Sequence, residues 1–483
     1  MAQESGSMVI EIGEYDHLIT NIQKKIDAVP RNPDDPKLFS IFRVPQHIRR
    51  NNENCYEPRM VSIGPYHRGK GHLQAMEKNK WRYLRDFLAR VNGKGLKTFF
   101  REMKSLEPSA RRCYFESVDE PLADPADPFT EMMLLDGCFI LELMMKWIYN
   151  ESDVMCGVGW NIPLITSDLL MLDNQIPFFV LQKLYDLLSE TDECDESTVR
   201  SPSTTSRKPS LIELVVRFLA SVKEKVRDGR ALKSSDELHH LLHLYYRVFV
   251  PEQESPKKSS NRCLLLLRQM FDPTWIFNLL LSINRKMQCR AAVQSIDEYP
   301  MTIPCATDLQ EAGVKFKKAS GSFLDITFSH GVLKIPHLAI EESTTTRFMN
   351  LIAFEQSSGQ KEKILTSYAV FMNCVINTPK DIAILQQEGI IENKLANEKE
   401  ASNFFNQLRD CSYIDYEKHR LAELFQDVRK YCELDWPKYR ARMCRVYFNS
   451  PWSILSLAAA LILLFLTVAQ TFFAVFAYFR PPP

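Results

Sequence analysis

The sequence has no surplus of charge. Lysine plus arginine and aspartate plus glutamate number 60 each, so no field of one sign draws the chain to nucleic acid. No basic tract of the kind that grips a phosphate backbone stands out either. Twelve cysteines are present, among them Cys55, Cys138, Cys263, Cys374 and Cys444, but they form no C-x-x-C pair and no small-module spacing. That argues against a disulfide framework and for buried or free thiols in a reducing compartment. There is no G-x-S-x-G elbow, no complete G-x-x-x-x-G-K-[ST] or G-x-G-x-x-G loop and no H-E-x-x-H helix, which removes the familiar signatures of hydrolases, nucleotide binders and zinc proteases. The opening "MAQESGSMVIEIGEYDH" is acidic and lacks the basic n-region and unbroken apolar h-region of a signal peptide. No internal repeat appears at solenoid periods.

What is present is apolar and helical. A hydrophobic share of 45% with 25% charged residues suits a globular chain with a sizeable core. Trp452 to Phe479 runs without a charge, where about 20 helical residues suffice to cross a bilayer, so a C-terminal transmembrane helix is expected over 452–479. Lys438, Arg440, Arg442 and Arg445 precede it and only Arg480 follows. The positive-inside bias then places the bulk of the chain in the cytosol, in a single-pass, tail-anchored topology with the lipid bilayer as one partner. With the opposite topology, Asn150-Glu151-Ser152 would be the acceptor sequon for glycosylation.

Apolar residues at steps of three and four predict helices over His72–Val91, with a basic outer face, and over Phe129–Tyr149, apolar nearly all round and interrupted by Asp136 and Glu142. Similar patterns recur at Leu211–Val226, Leu238–Val250, Leu264–Met270, Arg347–Phe354, Ile364–Ile376, Glu400–Leu408 and Tyr416–Tyr431. Strand signals are confined to Val314–Ile340. Alternation at Phe323–Phe328, a Ser-His-Gly turn and a run at Val332–Ile335 predict a small antiparallel sheet near 314–336. Linkers are expected at Glu107–Pro128, at Ser189–Ser210, read as disordered, and at Pro251–Asn261. The expected fold is therefore mainly α: a large multi-helix module with one small sheet and one membrane helix.

Several ordered segments resemble a known plant family: "IFRVPQHIRRNNENCYEPRMVSIGPYHRGKGHLQAMEKNKWRYL", "LLDGCFILELMMKW", "LLMLDNQIPFFVLQKLY", "ATDLQEAGVKFKK", "FLDITFSHGVLKIPHLAIEESTTTRFMNLIAFEQ" and the terminal apolar run. In that order, from about Leu38 to Phe479, they are similar to the family called domain of unknown function 247. The resemblance implies a large, mostly helical, plant-specific module, usually closed by a C-terminal membrane helix, with no established enzymatic activity; some relatives are linked to pollen recognition. It divides the chain into an N-terminal segment at 1–37, partly helical, a module at 38–445 with the insert at 189–210, the span at 452–479 and a short tail at 480–483.

Candidate chemistry is sparse. In "ELHHLLHLYY", His239 and His243 stand four apart and would share a helix face, but zinc needs a third ligand, and His240 points elsewhere. Packing or a place on a solvated helix face is the expected role of these histidines. "ASGSF", with Ser320 and Ser322, lacks the spacing and strand-to-helix setting of a nucleophile. Cys138 lies in apolar helix, where a thiol packs rather than reacts. Asp136 cannot stay unpaired in a core, so a partner is expected in the Arg43–Arg50 segment or the Lys78–Arg85 helix. "VSIGPYHRGKGH", Val61–His72, reads as a tight glycine turn that an anion could use. In "MLDNQIPFF", Ile176 and Pro177 are expected to start a helix, with Asp173 and Asn174 capping a corner. No catalytic, metal-binding or cofactor-binding residue is assigned. The expected function is a non-enzymatic protein interaction or recognition module with a protein partner and no nucleic acid. The alternative is a membrane-tethered hydrolase with an unrecognised site.

Overall fold

The computed structural model describes residues 19–24, 40–91, 95–116, 128–189, 209–221, 238–250, 302–322, 325–359, 363–410, 412–415, 419–434 and 451–479. The architecture is mainly helical with two small sheets. Its axis is the Pro128–Ile148 helix, whose residues from Phe129 to Lys146 are buried except Glu131. The helices Gln74–Ala89, Leu96–Arg111, Phe178–Ser189 and Leu211–Ser221 pack around it. A segment apolar on every side is what a helix surrounded by neighbours requires. Its two buried acids are paired: Glu142 accepts from Arg90 Nε at 2.7 Å and Nη2 at 2.9 Å, and Asp136 meets Lys80 at 2.6 Å.

A second helical layer contains Glu342–Ser357, Ile364–Val375, Pro379–Gln387 and Glu398–Asp410. Pro379 opens its helix, and Thr378 with Asp381 forms the capping box before it. The expected helices at 347–354, 364–376 and 400–408 thus appear, longer or shifted by a few residues. The helix expected at 416–431 is found at Ala422–Cys432. The one expected at 264–270 and the linker at 251–261 lie outside the described residues, as do 480–483 and most of 1–37 and of the insert at 189–210. The Glu107–Pro128 linker is shorter than expected, because the Leu96–Arg111 helix continues through Pro108. The basic outer face of the Gln74–Ala89 helix also needs amending, since Lys80 is fully buried.

The sheet near 314–336 is mixed, not antiparallel. Strands β1 (Lys315–Ala319), β2 (Thr327–Ser329) and β3 (Val332–Pro336) are ordered β1-β3-β2, with β2 antiparallel and β1 parallel to β3. The hairpin was legible: His330 and Gly331 have φ of 52° and 76°, the pair of positive values that a type I′ turn demands. The parallel pairing was not, because alternation reports which face is buried and not strand direction. A second sheet pairs β4 (Leu338–Ile340) in parallel with β5 (Ile391–Asn393).

The expected transmembrane span must be corrected. The segment is helical, Pro451–Phe479, but among the described residues no helix is long and apolar enough to cross a membrane. The single-pass, tail-anchored and membrane-localised expectations rested on that span and are not supported. The flanking bases at 438–445 lie outside the described residues.

Candidate functional site

A dense, buried polar cluster joins two segments distant in sequence, 56–72 and 168–177. The helix Asn161–Leu169 ends in "MLDNQIPFF", and the next helix starts at Phe178, one residue beyond the expected Pro177. Asp168, Asp173, Asn174 and Gln175 are all buried here. Each has a defined set of partners.

Asp168 accepts the successive backbone N–H groups of Arg59, Met60 and Val61, at 3.0, 2.6 and 2.9 Å. Asn174 accepts from Ile63 N–H at 2.7 Å and donates to the carbonyls of Val61 and Asp168 at 3.1 and 2.9 Å. Gln175 donates to the Leu169 and Met171 carbonyls, both at 2.7 Å. The ending helix is therefore capped by the two amides, not by Asp173. Asp173 instead pairs with Arg49 and with His67 Nε2, the latter at 3.0 Å. From a third element, Asn350 accepts from Leu172 N–H at 3.0 Å and donates to the Cys55 carbonyl at 2.9 Å.

Asp136 closes the cluster from the central helix. Its carboxylate accepts from Gly64 N–H at 2.8 Å and from Lys80 Nζ at 2.6 Å, and Lys80 also donates to the Ser62 carbonyl at 2.6 Å. Of the two basic segments expected to partner Asp136, the Lys78–Arg85 helix supplies the cation. Burial pushes the Asp136 carboxyl upward, and the Lys80 charge opposes that rise. Gly64 is at φ 74°, and a Cβ there would lie 2.3 Å from the Gln175 carbonyl oxygen. The turn in 61–72 is thus built for close approach to the corner. Amides a docked anion would need are already bonded, those of Val61, Ile63 and Gly64 included.

The other candidates are dispersed. The helix expected over 238–250 spans only Leu241–Phe249, with His240 as its N-cap; His239 therefore precedes the helix and shares no helix face with His243. The two rings still stack, with centroids 4.8 Å apart, and His243 Nδ1 accepts from His239 N–H at 3.3 Å. Burial first, then the neighbouring His239 charge, holds His243 down at about 3, so it stays neutral and packs against Phe354. His240 meets the Ser40 carbonyl at 3.0 Å. Among the described residues, no group of three or more His, Cys, Asp or Glu side chains is placed to hold a metal ion. Ser322 sits in a turn whose N–H is accepted by Asp325 at 2.8 Å. Cys138 is buried, which raises its thiol well above the ordinary range.

The sequence reading missed Asp168 and Glu355. Glu355 accepts from Tyr246 Oη, from the N–H groups of Leu365 and Thr366, and from Thr366 Oγ1, at 2.6 to 2.7 Å. It thereby caps the Ile364–Val375 helix from outside. An acid at the end of an apolar helical face, as in "PLITSDLL" and "LIAFEQ", was the available signal.

Asp168 carries a pH prediction. Burial, partly offset by the backbone N–H bonds, raises its carboxyl from 3.8 to about 6. The folded state therefore binds this proton more tightly than the unfolded chain. The resulting stabilisation is fully present below 3.8 and is lost as pH rises through about 6, a difference on the order of 3 kcal/mol. In urea unfolding, the stability of wild type relative to Asp168→Asn is expected to rise as pH falls across that window. A pH-independent difference would refute this.

Fold and cluster together define a large helical module whose buried acids and amides fasten loops to one another. The sequence profile of the family described as plant protein of unknown function, domain of unknown function 247, matches residues 41–466, and the chain belongs to that family. It is 29% identical over 463 residues to a UPF0481 protein of Arabidopsis thaliana, covering 92% of this chain and 89% of that one. It is 26% identical over 524 residues to a putative UPF0481 protein of the same plant, covering 95% of each. No solved structure matches the chain.

Proposed function

We propose that this family member is a non-enzymatic module that acts by binding another protein. The observation that carries the reading is the state of the buried carboxylates. Asp136, Asp168, Asp173 and Glu355 are each bonded to backbone amides, hydroxyls or cations of the fold itself. A general acid or base needs a lone pair or proton facing substrate, and a nucleophile needs a base beside it. Ser62 Oγ, 3.5 Å from Lys80 Nζ, is buried and donates to Glu77 at 2.8 Å, and that ammonium is already bound to Asp136 and Glu77. A charged ammonium cannot take a proton from serine.

The hydrolase alternative gives the test. Native full-length chain treated with a fluorophosphonate probe is expected to show no serine labelling beyond that of the heat-unfolded chain, and cross-linking in plant extract to yield the same few protein adducts in independent preparations. Native-state labelling confined to one serine, abolished by its alanine variant, would overturn the proposal.

A further inference from the structure

The Gln46–Asn51 helix and the loop 61–72 bring four basic side chains to one carboxylate, that of Glu57. Arg49 Nη1 lies 3.4 Å from Oε2 and Lys70 Nζ bonds Oε1, so the two fixed cations hold the two oxygens. His67 Nδ1 and His72 Nε2 stand 3.9 and 4.0 Å away, too far for hydrogen bonds. His72 is satisfied by the Pro58 carbonyl at 2.9 Å. His67 is not: its Nε2 meets Asp173 at 3.0 Å, but Nδ1 is buried and has no hydrogen-bond partner among the described residues. The His67 side chain, 3% exposed, and Arg49 form the floor of the cluster, where Asp173 pairs with both. Glu57, at 27%, Lys70 and His72 reach solvent.

We infer that this cluster is a binding site for a phosphate monoester, held shut by Glu57, and that its ligand is a phosphorylated side chain of a partner protein. The inference rests on the binding-module reading. A carboxylate offers two oxygens and leaves the buried His67 Nδ1 unmet. A phosphate offers three acceptor oxygens, one each for Arg49, Lys70 and His67. It also suits His67 in either state: with Nε2 toward Asp173, the ring presents at Nδ1 a lone pair or an N–H. A phosphate monoester loses its second proton at about pH 6, so as the monoanion it donates P–OH to the lone pair and as the dianion it accepts from the N–H. All four basic groups address a single carboxylate. One anionic side chain therefore fits, exchanging with Glu57, and not the continuous charge of a nucleic acid or a lipid surface.

The full chain can be titrated, by phosphorus NMR, with phosphoserine blocked at both ends. Saturable binding is expected. Glu57→Ala should tighten it about tenfold or more, the gain when a latch leaves the site open in roughly a tenth of molecules or fewer. Glu57→Gln removes the charge and keeps the shape; it should give a smaller gain, and it carries the test if the alanine variant does not fold. Adding Lys70→Met to either should abolish the gain. Glu392→Ala, which removes an exposed acid from β5, should leave binding at the wild-type level. No gain in either Glu57 variant, a gain that survives Lys70→Met, or an equal gain in Glu392→Ala would overturn the inference. Phosphatase treatment of the plant extract should remove the cross-linked protein adducts. Adducts that persist after it, or phosphatidic acid vesicles that sediment the chain more strongly once Glu57 is alanine, would overturn the assignment to a partner's side chain. Persisting adducts would still leave the binding-module reading intact, whereas serine labelling would sink that reading without touching phosphate affinity.

Discussion

Lys80→Met is expected to destabilise the folded chain by roughly 3–5 kcal/mol, the usual result of breaking a buried ion pair from one side. Lys80 is fully buried and reaches Asp136, Glu77 and the Ser62 carbonyl, each at 2.6 Å. Methionine fills the volume but strands a carboxylate that is 1% exposed. Adding Asp136→Asn removes the stranded charge while leaving an oxygen for Gly64 N–H, so the double variant should recover part of the loss. The deficit of the single variant should also shrink as pH falls. Burial already raises the Asp136 carboxyl, so the folded state is favoured as that group becomes protonated. Urea unfolding of wild type and the two variants across pH checks all of this. A single-variant loss below about 1 kcal/mol would mean that the pair is solvated and not a core element.

Gly64→Ala is expected to cost about 3–5 kcal/mol. Part of this is the left-handed backbone at φ 74°, about 1–2 kcal/mol for a residue with a Cβ. The larger part is the new methyl, placed 2.3 Å from the Gln175 carbonyl oxygen and 3.2 Å from Tyr114 Oη. Backbone cannot rotate aside as a side chain can, so the turn must lift from the corner. That threatens the Gly64–Asp136 bond and the 3.0 Å bond from Tyr114 Oη to the Gln175 carbonyl, and each buried polar group left unpaired costs roughly 1–3 kcal/mol. Gly69 supplies the control. Its φ is 84° with nothing within 4 Å of a Cβ, so Gly69→Ala should show the backbone cost alone. Similar melting temperatures for the two variants would show that close approach contributes nothing.

The sequence by itself determined the family, the helical class and the main apolar faces, because period and composition are properties of neighbours along the chain. It also determined that Asp136 needed a cation and that "MLDNQIPFF" had to turn. Only tertiary structure decided that Lys80 was that cation and that the amides of Asn174 and Gln175, rather than Asp173, cap the ending helix. It alone set β1 parallel to β3 and placed His239 ahead of its helix. Each of these depends on which distant segment approaches, and hydrophobic period carries no record of that. The apolar C-terminal run shows the same limit: local composition predicted a membrane span, and the described part of the helix does not provide one.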